Sequence, residues 1–217
     1  MRYILVGLVA FLLAPAFEIV SIKGVRGGKQ IVGLILLILW GVAICGVCAD
    51  PRRLSMTTWV VIPAWITLVL ASVLLVYSLL IELPFRSTYH LAGGSQRLVT
   101  TGTYALVRHP GVLWFGLLLL SLALVSGSRA ALLAAPIWLG ADVLYAWIQD
   151  RYLFPRMFPG YEEYQQTVPM LIPTRASLRR CLQTLRRESD GHTPRVVTDK
   201  QFTREHSAHG AAEQERR

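Results

Sequence analysis

Gly111–Val125 reads GVLWFGLLLLSLALV, Ser126–Arg129 reads SGSR, and Ala130–Ile148 reads AALLAAPIWLGADVLYAWI. Two apolar runs around a four-residue polar turn predict a pair of antiparallel helices at home in hydrocarbon rather than water. The first run is short, which predicts a helix that starts back inside Arg108-His-Pro110, with proline in its first turn.

The same texture extends outward. Tyr3–Val20, Ile31–Cys48 and Trp59–Ile81 are further apolar runs, near the length that crosses roughly 30 Å of hydrocarbon. With 53% hydrophobic and 16% charged residues, the chain of 217 residues is too apolar for an ordinary soluble domain. The expected fold is an all-α integral membrane protein of about five transmembrane helices, with a C-terminal cytoplasmic helical segment and a disordered tail. The first run has no clean cleavage site followed by a soluble domain, so it is expected to be retained as a span rather than removed as a signal peptide. Residues 1–174 form the expected membrane-embedded domain, 175–187 a basic interfacial helix and 188–217 a disordered polar tail.

Lysine and arginine placement sets the expected orientation. Lys23, Arg26 and Lys29 follow the first run; Arg86, Arg97 and Arg108 follow the third; twelve more follow the fifth. Five spans would place all of these on one face, the cytoplasmic one, with the N-terminus outside; the expected membrane is a bacterial inner one. The net charge of +9 is then explained by insertion and by anionic lipid headgroups, and no nucleic-acid partner is expected. Cys45 and Cys48 have a Cys-x-x-Cys spacing but no partner ligands, and read as small buried thiols. His192, His206 and His209 read as solvated, so no metal site is expected.

Polar chemistry is confined to the ends of the hairpin. Ahead of it stands Thr101-Gly-Thr-Tyr-Ala-Leu-Val-Arg-His-Pro110; after it come Gln149-Asp150 and Phe158-Pro-Gly-Tyr-Glu-Glu-Tyr-Gln-Gln-Thr-Val-Pro169. Gly102 marks either a plain turn or backbone brought close to another group. Tyr161 and Tyr164, three apart, share a helical face and leave Glu162 and Glu163 pointing elsewhere. Arg108 and His109 at a helix start are either an insertion signal or an anion-binding site. Asp142, inside an apolar run, is expensive unless it faces protein or water. Because the runs are antiparallel neighbours, His109 and Asp150 are expected to meet although 41 positions separate them.

These strings resemble the integral-membrane methyltransferases that include isoprenylcysteine carboxyl methyltransferase and the bacterial phospholipid N-methyltransferases. The likeness covers roughly residues 80–174. It rests on Gly102-Thr-Tyr-Ala105, Arg108-His-Pro-Gly-Val112, Tyr161-Glu-Glu-Tyr164 and Val168-Pro-Met-Leu-Ile-Pro173. Val112 stands where the family has tyrosine, Gln149-Asp150 where it has two glutamates, and Phe158-Pro-Gly160 where it has Phe-Gly. The resemblance implies S-adenosylmethionine as methyl donor and a lipid-linked or small hydrophobic acceptor entering from the membrane. It implies a cofactor site of Tyr104, Arg108, His109, Pro110, Gln149, Asp150, Tyr161 and Tyr164, with His109 and Arg108 as the catalytic candidates. The alternative expectation is a catalytically inactive membrane adaptor on the same fold. A small transporter is a third, poorer reading, since no inverted repeat is evident.

Overall fold

The computed structural model describes residues 1–22, 27–82, 98–189 and 196–197. Expectations placed on Lys23, Arg26, Arg86, Arg97 and the tail with its three histidines fall outside the described residues. Helices α1 (Arg2–Ile22), α2 (Gly28–Cys48) and α3 (Thr58–Val76) come first, and α3 runs on into a wide π-helical turn, Tyr77–Glu82. The short helix α4 (Thr103–Leu106) precedes α5 (Pro110–Ser126) and α6 (Arg129–Ile148). A second π-helical turn, Gln149–Leu153, leads to α7 (Phe154–Met157), α8 (Tyr161–Thr167) and α9 (Arg175–Ser189). Among the described residues two short antiparallel pairings stand outside the helices: β1 (Leu98–Val99) with β2 (Val196–Val197), and an isolated bridge between Arg53 and Ser128.

The expectation of about five transmembrane helices does not hold. Among the described residues three helices are long and apolar enough to cross a membrane, spanning Gln30–Cys48, Thr58–Glu82 and Arg129–Met157. Arg2–Phe17 and Pro110–Ser126 are shorter apolar helices. The physical reason is length. At 1.5 Å per residue the 17 residues of α5 rise only about 25 Å, against roughly 30 Å of hydrocarbon. The parity argument that set the orientation rested on five spans and falls with that count. The chain is nevertheless a largely helical protein with three long apolar helices, as a membrane protein has.

The described residues divide into two compact units. One comprises Met1–Leu79 with Gly111–Ile148, and the other lies within Leu80–Pro110 and Gln149–Arg217. In the first, α1 lies along α2 and α6 packs against both. Small residues permit the close approach, as membrane helices require where burial between helices gains little over lipid. Ala10, Ala43, Ala131 and Ala134 are buried at these faces. Trp138 fills the space between them and donates its indole N–H to Ile4 O at 3.0 Å. Its ring meets Trp40 edge-on, and Trp40 meets Phe11 and Phe115 in the same way, with centroids 5.0–5.3 Å apart.

At one end of this unit the connection after α2 is pinned to the α5–α6 turn. Leu54 N–H donates to Gly127 O at 2.7 Å, Arg129 N–H to Arg52 O at 3.0 Å, and Ser128 Oγ to Val47 O at 2.5 Å. Gly127 has φ +60°, and a Cβ there would lie 2.9 Å from the Leu54 carbonyl oxygen. Glycine is required on both counts. The outward surfaces of α2 and α3 are apolar: Leu37, Trp59, Ile62 and Val73 are all more than half exposed. Such surfaces suit lipid contact rather than water.

Gly7 tests the packing account. A Cβ at this position would collide with the buried Trp138 ring, whereas one at Gly41 would meet nothing within 4 Å. Gly7→Ala should therefore destabilise the unit by about 1–3 kcal/mol, as overpacked cores do. Gly41→Ala should be neutral or mildly stabilising, because it removes a helical glycine. Thermal unfolding of the two variants in the same detergent checks the contrast.

Candidate functional site

The second unit gathers the polar strings. It is entered through Gly102, whose φ of +58° lies in the left-handed region and whose backbone comes so close to Glu82 that a Cβ would collide with the carboxylate. This close approach, not a plain turn, explains the glycine. Glu82 accepts the Thr103 N–H at 2.7 Å and the Thr103 hydroxyl, satisfying the open start of α4. The Gly102 N–H donates to Thr184 Oγ1 of α9 at 3.0 Å.

Beyond α4 the backbone extends at Val107 and borrows partners from the chain after α8. Arg108 N–H donates to Pro169 O at 3.0 Å and His109 N–H to Met170 O at 3.2 Å. Pro110, fully buried, then begins α5 as its first residue, where a missing N–H costs nothing. The backbone donors at Arg108 and His109 are thus spent on the protein itself.

On the other side, the Gln149–Leu153 turn turns Asp150 into the protein. π-Helical turns of this kind often occur at functional positions. Pro155 sits in the first turn of α7, where proline is tolerated. Gly160, with φ +77°, reverses the chain and caps α8. Tyr161, Tyr164 and Val168 face inward with Leu98 as a small core, and Phe154 and Phe158 pack against it. Glu162 and Glu163 are exposed.

The centre is the pair Arg108–Asp150. The guanidinium meets the carboxylate through two parallel bonds, Nε to Oδ1 and Nη2 to Oδ2, both 2.8 Å. The two side chains are only 10% and 9% exposed. Arg108 Nη1 donates to Gln165 O at 2.9 Å and to Val168 O. Asp150 also accepts Tyr161 OH at 2.6 Å and Gln165 Nε2 at 3.1 Å, while Gln165 Nε2 donates to the Asp150 carbonyl at 2.8 Å. Tyr164 OH donates to Tyr104 O at 2.6 Å, so Tyr104 contributes its carbonyl while its ring is half-buried. Gln149 is half-buried at the start of the wide turn.

His109 differs from its neighbours. Its ring is buried and stacked on Phe154, with centroids 5.6 Å apart and 12° between planes. Its Nε2 is 3.4 Å from Asp150 Oδ1, within ion-pair reach, yet it forms no hydrogen bond. Asp150 Oδ1 already receives Arg108 and Tyr161, which accounts for the long contact. A buried imidazole nitrogen without a hydrogen bond is costly, and it is the atom of this cluster most open to a further partner.

The structure therefore brings Arg108, His109, Asp150, Tyr161 and Tyr164 into one buried cluster. Asp142 and Val112 belong to the first unit, where Asp142 is half-buried on α6 and Val112 buried on α5. Among the described residues no cluster of His, Cys, Asp and Glu could hold a metal ion. Cys45 is exposed and Cys48 half-buried, so the expected buried pair is corrected on that point; the outward face of α2 carries Cys45. Sequence reasoning missed Gln165, Glu82, Phe154 and Thr184. Gln165 was within reach: it shares a helical face with Tyr161, four residues earlier. Glu82 and Thr184 act through non-local contacts that no spacing announces.

No family model, curated protein or solved structure matches this chain.

Removing one partner of a buried, hydrogen-bonded ion pair leaves the other uncompensated, typically at about 3–5 kcal/mol. Asp150→Ala should thus loosen Val168–Met170 from Arg108–His109, read as faster amide exchange across these segments. Tyr161→Phe keeps the ring packing and loses one bond to a charged acceptor, at about 1.5–3 kcal/mol. Burial, then the bond to Asp150, pushes the Tyr161 phenol well above its ordinary value of 10.0. Folding therefore holds a proton that the unfolded chain gives up above about pH 10. The stability from this phenol is fully present below that pH and is lost as pH rises toward the folded value. A pH series of amide exchange should show an alkaline loss that is smaller in Tyr161→Phe.

Proposed function

We propose that this protein is a membrane methyltransferase using S-adenosylmethionine, acting on a lipid-linked or small hydrophobic acceptor. One observation carries the reading: the separate strings that resemble the membrane methyltransferases converge on a single buried cluster. The residues fit such a ligand in part. The unbonded His109 Nε2 and the aromatic surface of Phe154 and Tyr161 suit a cationic, aromatic-bearing molecule. Arg108 and Asp150, by contrast, satisfy each other, and act as a frame that fixes His109 rather than as direct ligands.

When bound, S-adenosylmethionine supplies a methyl group already activated by its sulfonium, open to in-line displacement by an acceptor carboxylate, amine or thiolate. The chain's own task is alignment and exclusion of water. His109 would hold a ligand atom at Nε2. Tyr161, kept protonated by burial, would hold Asp150 in place. Tyr164 and Tyr104 would fix the wall behind them, Pro110 the start of α5, and Gln149 the approach to the wide turn. The basic residues of this unit support a cytoplasmic face, in a bacterial inner membrane.

A second reading has its own support. Every assigned donor of Arg108, and the backbone N–H groups of Arg108 and His109, is taken by protein acceptors. This favours an inactive membrane adaptor whose old site has become a structural clasp.

Titration calorimetry with S-adenosylhomocysteine, paired with label transfer from methyl-labelled S-adenosylmethionine to membrane extract, separates the two. The enzyme reading expects saturable binding and label in an organic-extractable product. His109→Ala should weaken binding about tenfold or more, equivalent to about 1.4 kcal/mol, with amide exchange in α8 unchanged. Arg129→Ala, in the first unit, should leave binding as it is. Folded protein that binds neither compound would sink the methyltransferase and leave the adaptor.

A further inference from the structure

Helix α9 presents three different surfaces along its length. Ser177 and Cys181 are buried, and with Thr184 they form the face that packs on α4. Thr184 receives the Gly102 N–H, and Arg180 donates to Thr167 O just beyond, so this side is fixed to the chain that builds the polar cluster. At about 100° per residue, Leu178, Leu182 and Leu185 form a separate stripe a quarter turn away. They are 49%, 54% and 37% exposed, and no described segment covers them. On the far border of that stripe stand Arg175, Arg179 and Arg186, all exposed.

We propose that this stripe seats α9 in the surface of an anionic lipid bilayer, with the leucines in the acyl boundary and the three arginines on headgroup phosphates. Three features select a bilayer rather than another partner. The same chain carries three helices long and apolar enough to span a membrane, so lipid is at hand. Leucines bordered on one flank by protein and on the other by arginines have the section of a helix lying in an interface. Charge complementarity then selects anionic lipid, since arginines near such a surface gain from its potential. The inference does not rest on methyl transfer and holds equally for an adaptor.

Placed this way, α9 is a strap with lipid on one side and the Gly102–Leu106 backbone on the other. Its order should therefore respond to lipid charge, and the packing of α4 should respond with it.

The test is amide hydrogen exchange of the full chain in nanodiscs of phosphatidylcholine alone and of phosphatidylcholine with phosphatidylglycerol. Peptides across Leu178–Arg186 should exchange roughly tenfold or more slowly in the anionic discs, and those across Thr103–Leu106 should slow with them. Replacing Arg175, Arg179 and Arg186 together by Gln should erase the difference between the two discs while α2 and α3 keep their protection. Leu182→Ser should speed exchange of α9 in both discs and serves if the triple variant fails to fold. Equal exchange of the unaltered protein in both discs would overturn the proposal. So would protection in detergent that rises with protein concentration, which would give the stripe to a second copy of the chain.

Discussion

An arginine and an aspartate brought out of water at the ends of two apolar helices are a liability until each is fully matched. The cost of desolvating both charges is several kcal/mol per ion, and only good geometry with added hydrogen bonds offsets it. Arg108 and Asp150 meet through two 2.8 Å bonds, and each then recruits further partners. The leftover guanidinium nitrogen draws in the carbonyls of Gln165 and Val168. The carboxylate draws in Tyr161 and Gln165. Much of the second unit can be understood as a set of segments held where this pair needs them: α8 by its tyrosine and glutamine, Pro169–Met170 by the adjoining backbone bonds. His109 is the exception, its Nε2 buried beside the pair at 3.4 Å from Asp150 without a hydrogen bond.

The first unit solves a different problem with different means. Burial against a neighbouring helix gains little when lipid is equally apolar, so contact must come from close fit. Alanines and glycines bring α1, α2 and α6 together, and Trp138 closes the remaining space. Its indole N–H needs an acceptor, and Ile4 O provides it at 3.0 Å. The outer faces of α2 and α3 are left apolar.

Much of this could be read from the chain. The hairpin of Gly111–Ile148, the start of α5 at Pro110, the turn at Gly160 and the inward face of Tyr161 and Tyr164 all follow from local pattern. The nearness of His109 to Asp150 follows from two antiparallel runs. Counting spans failed, because run length in sequence ignores how little margin a 17-residue helix has against the bilayer. Arg108 reads either as an insertion signal or as part of an anion site, since a sequence shows a charge but not its partner. Glu82 beneath Gly102 depends on a contact across 20 positions, with 83–97 lying between, and no periodicity reports it.

Glu82 and Asp150 share an origin in geometry. Each follows a long apolar helix at a place where the winding widens, Tyr77–Glu82 for Glu82 and Gln149–Leu153 for Asp150. A wide turn holds one residue more per hydrogen-bonded ring than an α-helix does. Removing a residue ahead of the acid in either turn would restore ordinary winding and change the direction in which that acid points by about 100°. Substitutions on the outer side of these turns leave that register intact. The chain at these two points is therefore constrained in its spelling far less than in its length, and insertions or deletions there are the changes it should tolerate least.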